Sequence, residues 1–154
     1  MKNLAVIAHN IRSLHNVGSI FRTAEGAGVD KIFLTGYTGR PPRKEIAKVA
    51  LGSEDRVPWE YTKDVGRLIG RLKGKGFQVV TLEQGRTAVD YKKYKPRGKI
   101  ALIIGNEVRG VSKKLQELSD IVIEIPMLGD RRSLNVSVAF GIVAFHLANF
   151  LKKV

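Results

Sequence analysis

The chain has 154 residues, 44% of them apolar, and no cysteine. That length suits one domain, residues 1–154, able to bury roughly 70% of its unfolded surface, and the missing cysteines exclude disulfides and thiolate metal sites. Lys and Arg total 27 against 14 Asp and Glu, a net charge of +13, which favours a polyanionic partner, nucleic acid above all, over a merely lysine-rich soluble surface.

The N-terminal stretch Met1-Lys-Asn-Leu-Ala-Val-Ile-Ala-His9 has too short an apolar run for a signal peptide and no cleavage site. Leu4 to Ala8 predicts a first strand, apolar throughout as in a parallel sheet buried on both faces. His9 to His15 reads as a polar loop, and Asn16 as the cap of a helix through Val17, Ile20, Phe21 and Ala24 that Gly26 and Gly28 end. Lys31 to Thr35 is a second strand, so the chain opens β-α-β with parallel strands.

A loop over 36–43 leads to a short helix over 44–50 and a short strand over 57–61. Further on come a helix over 65–73, a strand over 77–82, a basic and aromatic connection over 87–95, a strand over 100–104 and a helix over 113–118. Ile121 to Ile125 is a last strand, stopped by Pro126. A polar loop follows, and a helix starts near Asn135, with Ser133 and Asn135 as candidate caps. Its stripe Val136, Ala139, Phe140, Val143, Leu147 is widened by Val138, Ile142, Phe145 and Leu151. A helix apolar nearly all round is covered on two sides, and in so small a chain a second copy supplies the second cover. Gly141, His146 and polar flanks keep that helix from being a membrane span. These features describe a soluble, cytoplasmic α/β protein, a mostly parallel sheet flanked by helices.

Ligands in such sheets sit outside the carboxyl ends of strands. Three loops qualify: Leu82 to Gly85, Gly105 to Ser112, and Pro126 to Asn135. Gly105 and Gly110 allow close approach of a ligand, or simply a tight turn. No dinucleotide fingerprint or phosphate-binding lysine loop is present. His9 and His15 read as loop residues and His146 as a helix residue with a satisfied polar edge; no metal cluster is expected.

Three segments together resemble the ordered motifs of the SpoU (TrmH) family of RNA ribose 2′-O-methyltransferases, in the SPOUT superfamily. They are Asn16-Val-Gly-Ser-Ile-Phe-Arg22, Ile103-Ile-Gly-Asn-Glu107-Val-Arg-Gly110, and Ile125-Pro-Met-Leu-Gly followed by Ser133-Leu-Asn135-Val-Ser-Val-Ala. The resemblance covers nearly the whole chain and matches the minimal catalytic domain. It implies a C-terminal trefoil knot, bound S-adenosyl-L-methionine, no metal, and a homodimer with the active site near its interface. The implied catalytic residues are Arg22, Asn16, Glu107, Ser133 and Asn135. A guanidinium is a poor base, so Arg22 is expected to bind phosphate and orient the 2′-hydroxyl, deprotonation being the sharper alternative. The implied cofactor contacts are Leu82, Glu83, Gly105, Asn106, Ile125, Met127, Ser133 and Leu134. Each has a plainer reading: Glu107 pairing with Arg22 or Arg109, and Ser133 and Asn135 only capping.

The implied RNA, tRNA first and rRNA second, would meet Arg40, Arg43, Lys44, Arg109, Arg131 and Arg132. A second basic group, Lys92 to Lys99, is interleaved with Tyr91 and Tyr94, which either stack on bases or pack on the sheet. The other functional classes are a knotted RNA or cofactor binder without turnover, and an ordinary nucleotide-binding α/β protein.

Overall fold

Leu4–His9 form β1, with Val6, Ile7 and Ala8 wholly buried. The structure is a computed structural model and describes residues 3–152. Met1 and Lys2, which begin the N-terminal stretch considered above, lie outside the described residues. β1 leads to α1 (Leu14–Ala27), β2 (Lys31–Thr35), α2 (Lys44–Ala50), α3 (Ser53–Arg56) and β3 (Trp59–Thr62). Then come α4 (Val65–Gly74), β4 (Phe77–Leu82), β5 (Val89–Asp90), β6 (Lys99–Ile104), α5 (Lys113–Leu118), β7 (Ile121–Glu124) and α6 (Val136–Leu151).

The seven strands form one sheet in the order β3-β2-β1-β6-β4-β7-β5, and every pairing is parallel. Side chains alternate across a strand, and each face has its own core. Leu4, Val6 and Ala8 join α1, α2 and α6 on one side. Ala5 and Ile7 join Leu68, Ile69 and Leu72 of α4 and Leu115 of α5 on the other. Burial on both faces explains why β1 and β6 are continuous apolar runs rather than alternating ones. The order turns between β1 and β6, since β2 and β3 lie on one side and the later strands on the other. A crevice at such a reversal is where open α/β sheets bind ligands.

Local chemistry sets several boundaries. Ser13, not Asn16, caps α1: its Oγ accepts the backbone N–H of Asn16 at 3.1 Å. His15 therefore belongs to α1 and His9 to β1, rather than to a loop. Gly26 lies inside α1, and Gly28 ends it in the left-handed conformation that glycine adopts without strain. Gly18 lets α1 and α2 touch closely, because a Cβ there would sit 2.7 Å from the Ile46 carbonyl. The strand expected over 57–61 lies at Trp59–Thr62, since Pro58 cannot join a ladder by its nitrogen. Neither the one-turn α3 nor the two-residue β5 is foreseeable from periodicity, which needs longer segments. No described helix is long and apolar enough to cross a membrane.

Candidate active site

The loops that follow β4, β6 and β7 enclose one cavity of about 160 Å3 at the carboxyl ends of those strands. Leu82, Ile104, Ile125, Val136 and Ala139 supply apolar walls. Glu83, Gly105, Asn106, Glu107, Arg109, Met127, Ser133 and Leu134 also line it. All eight expected cofactor contacts thus surround one space. Ser133 and Leu134 are its exposed rim.

The turn after β6 is shaped by its own packing. A Cβ on Gly105 would meet Val111 Cγ2 at 2.7 Å and the Gly110 carbonyl at 2.8 Å. Gly110 has φ 67°, and a Cβ there would lie 2.0 Å from Glu83 Oε2. These glycines serve the turn itself as well as approach from the cavity. Glu83 accepts the N–H groups of Val111 at 2.8 Å and of Gln84 at 2.9 Å, so its carboxylate braces the turn as well as facing the cavity. Asn106 Oδ1 accepts the N–H groups of Val108 and Arg109 at 2.9 and 2.8 Å.

Glu107 reaches outward from this turn to the segment after β1. It accepts the backbone N–H groups of Arg12 at 3.2 Å and Ser13 at 3.1 Å, and the Asn16 amide at 3.2 Å. Burial pushes its carboxyl pKa up, but these hydrogen bonds, with one from its own backbone, hold it below the ordinary value. Among the described residues it forms no ion pair with Arg22 or Arg109; backbone donors take the place of the cation. Asn16 Oδ1 in turn accepts the Asn135 amide at 3.4 Å. Asn135 caps α6 by accepting the Ser137 N–H at 2.9 Å. Residues 16, 107 and 135, distant in sequence, therefore form one hydrogen-bonded chain.

Asn16, Asn135 and Arg22 do not line the cavity. Arg22 is exposed, without a hydrogen bond or ion pair to any described residue. Six residues carry it roughly two-thirds of a turn around α1 from Asn16. It adjoins the face of α1 that meets α6, where its neighbour Thr23 lies 3.5 Å from where a Cβ on Gly141 would be. Of the expected RNA contacts, Arg109 is at the cavity. Arg131 and Arg132 are exposed in the loop after β7, and Arg40, Arg43 and Lys44 are exposed after β2.

Other histidine and tyrosine expectations change. Tyr94 is buried and donates to Gln78 Oε1; burial, with the charge of Asp120, pushes its phenol up to about 12. It packs on the sheet and is not available to stack on a base. Tyr91 lies edge-on to His146, ring centroids 5.0 Å apart. His146 hydrogen-bonds the Tyr91 backbone, but its Nε2 is buried without a partner among the described residues, so its polar edge is satisfied only in part. His9 Nδ1 bonds Thr35 Oγ1 at 2.8 Å, and burial lowers the His9 pKa. Among the described residues no cluster of metal-ligating side chains forms. Arg12, Ser13, Asn10 and Tyr37 adjoin the site through hydrogen bonds to Glu107 and Asn106, yet sequence reading singled out none of them as functional. Only Ser13, three residues before Asn16, carried a local cap signal.

The sequence model of the SpoU rRNA Methylase family matches residues 3–145. The chain belongs to the SpoU family. It is 32% identical over 142 residues to a Staphylococcus aureus (strain COL) protein named for the TrmH family of tRNA/rRNA methyltransferases, covering 92% of this chain and 57% of that one. This SpoU chain thus spans little more than half the length of that relative. It is 33% identical over 148 residues to the tRNA (guanosine(18)-2′-O)-methyltransferase of Aquifex aeolicus (strain VF5), covering 94% of this chain and 68% of the relative. Among solved structures, the AdoMet-bound rRNA methyltransferase of Sinorhizobium meliloti superposes with a TM-score of 0.90 at 29% identity, covering 97% of this SpoU chain and 57% of that one.

Proposed function

We propose that the chain is an S-adenosylmethionine-dependent RNA methyltransferase acting on a ribose 2′-hydroxyl, with tRNA as its substrate class. The hydrogen-bonded chain Asn135–Asn16–Glu107 carries this reading, because it ties the three family motifs together beside one cavity. The Aquifex relative's name supports tRNA and 2′-O chemistry. The family's own description, an rRNA methylase, favours rRNA as the second reading.

The cavity suits the cofactor chemically. Its apolar walls at Leu82, Ile104 and Ile125 suit an adenine, and the backbone of Leu82, Gly105, Ile125 and Leu134 offers polar groups for ribose and amino acid. Glu83, Asn106, Met127 and Ser133 complete the contacts. When bound, the sulfonium supplies an already activated methyl group, so the protein's task is alignment. Glu107 is ionised at neutral pH and already holds three donors. Its role is to fix the segment before α1, not to take a proton. Asn16 and Asn135 keep that segment in register with the cavity rim. Arg22, an unpaired cation, binds the phosphate beside the target ribose and orients its hydroxyl. Arg109, Arg131 and Arg132, with Arg40, Arg43 and Lys44, provide phosphate contacts.

The reading extends to a single catalytic domain over 1–154, working in the cytoplasm where its RNA resides. It includes the family's trefoil knot, the segment after β7 passing the loop after β6; those two loops share the cavity walls. It also includes a homodimer through α6, whose Val138, Ile142 and Phe145 stay exposed. That pairing would set Arg22, beside α6, at the interface.

The test is transfer of a labelled methyl group to bulk tRNA and, separately, rRNA, with nuclease mapping of the product to ribose. Incorporation into tRNA is expected. Protein that binds S-adenosylmethionine yet methylates neither RNA would sink the enzyme reading.

A further inference from the structure

A second cavity, of about 380 Å3, lies in the loop after β2 and is lined by Tyr37, Arg40, Pro41, Pro42, Arg43 and Tyr61 among others. The loop is anchored at Gly36, Thr38 and Gly39. The Tyr61 hydroxyl donates to the Gly36 carbonyl at 2.7 Å. Thr38 is buried, donating to the Ala8 carbonyl at 2.9 Å and accepting the Ile11 N–H at 3.0 Å. Gly39 fits because a Cβ there would lie 2.2 Å from Leu14 Cδ2. Tyr37, between Gly36 and Thr38, and Arg40, just after Gly39, are exposed.

Both exposed groups are held in place. The Arg40 guanidinium carbon lies 4.0 Å from the centroid of the Tyr61 ring. That stack leaves its N–H edge free, and among the described residues no carboxylate pairs with it. Arg43 meets Glu45 at 3.6 Å on the exposed surface, where such a pair is weak and easily exchanged. Among the described residues no acidic side chain lines the cavity. Pro41 and Pro42 have no N–H to offer an anion, so anion recognition falls to the two arginines. Tyr37 is 60% exposed, yet fixed at both ends. Its N–H donates to Asn10 Oδ1 at 3.0 Å, and its hydroxyl accepts the Asn106 amide at 2.7 Å. Asn106 lines the first cavity, so this hydrogen bond links the linings of the two cavities.

From this geometry we propose that the Tyr37–Arg40–Tyr61 cavity is a subsite for one unpaired nucleotide of the RNA, next to the methylated residue. Arg40, with Arg43, takes its phosphate, and the Tyr37 ring stacks on its base. The ligand is a single-stranded ribonucleotide unit; in a duplex the base would be stacked inside and could not reach Tyr37. This rests on the RNA methyltransferase reading above.

The test uses the full chain, with fluorescence anisotropy on a labelled oligouridylate of about ten nucleotides, single-stranded and in duplex with oligoadenylate. Isothermal titration with S-adenosylmethionine and the KM for bulk tRNA are measured in parallel. Arg40→Ala and Tyr37→Ala are each expected to weaken single-strand binding about tenfold and raise the KM similarly, with cofactor affinity unchanged. Tyr37→Phe keeps the ring and is expected to retain binding; Arg40→Lys keeps the charge but not the planar stack and recovers only part. Duplex binding changes less than single-strand binding. Single-strand affinity at the wild-type level in either alanine variant would overturn the subsite. So would a parallel loss of cofactor affinity, which would make the loop only a structural support. If the wild-type protein methylates RNA while the alanine variants keep its KM, the subsite alone falls. If the wild-type protein binds no RNA, both the subsite and the parent reading fall.

Discussion

The carboxylate of Glu107 accepts the side-chain amide of Asn16 at 3.2 Å across 91 residues of chain. This bond and those to Arg12 and Ser13 outweigh the upward push of burial and lower the Glu107 pKa below the ordinary 4.5. A carboxyl whose folded pKa is depressed stabilises the fold above its unfolded value and loses that contribution as pH falls through the folded value. The difference in urea midpoint between wild type and Glu107→Gln is therefore expected to be constant near neutrality and to shrink below about pH 4.5. Glu107→Ala is expected to cost about 2 kcal/mol, from donors left without an acceptor. A pH-independent difference would show that the charge on Glu107 does not matter.

Arg22 is exposed and makes no bond to a described residue, so removing it costs the fold little. Arg22→Ala is expected to keep the wild-type Tm and S-adenosylmethionine affinity, and to slow methyl transfer by at least about a hundredfold. Single-turnover assays at saturating RNA measure this. A rate within a few-fold of wild type would remove Arg22 from the chemistry.

Gly110 combines φ 67° with the Glu83 carboxylate 2.0 Å from a would-be Cβ. Gly110→Ala forces a left-handed alanine, costing about 1 kcal/mol, and pushes Glu83 off the Val111 N–H. Cofactor affinity is expected to fall together with stability, since Glu83 and Gly110 both line the cavity. Gly74→Ala, with open space around it, is the contrast and is expected to leave both unchanged.

On α6, Ile142 is 38% exposed between Val138 and Phe145, while Phe140, Val143 and Leu147 are fully buried. Ile142→Asp is expected to abolish pairing of two copies without unfolding either. Light scattering at micromolar concentration should show dimer for wild type and monomer for the variant. A wild-type monomer would contradict the proposed dimer.

Most regular elements were legible because their signals are local. The strand over 77–82, the short helices at 44–50 and 113–118, and a last helix capped by Asn135 all appear where residue periodicity and cap chemistry put them. The Asn16 assignment failed for an instructive reason. Asn16 and Ser13 are both good caps, and only the position of Glu107 decides that Asn16 turns inward while Ser13 caps. The basic and aromatic run around Tyr94 looked like a nucleic-acid surface, but Tyr94 is buried on the sheet, and Lys92, Lys93, Lys95 and Arg97 are the charged groups that remain exposed. Tyr37 went unnoticed because nothing within its own loop marks it; its partner Asn106 is 69 residues away.

By itself, the sequence determined the α/β class, the cationic character and the three motif segments, since periodicity, charge and residue type are local properties of the chain. The tertiary structure alone decided which of those residues meet. Setting β1 beside β6 brings Asn16 to Glu107. Packing α6 against α1 brings Asn135 to Asn16 and leaves Arg22 outside the cavity. Such contacts depend on strand order, and strand order follows from how all the apolar faces are buried at once, which no single segment encodes.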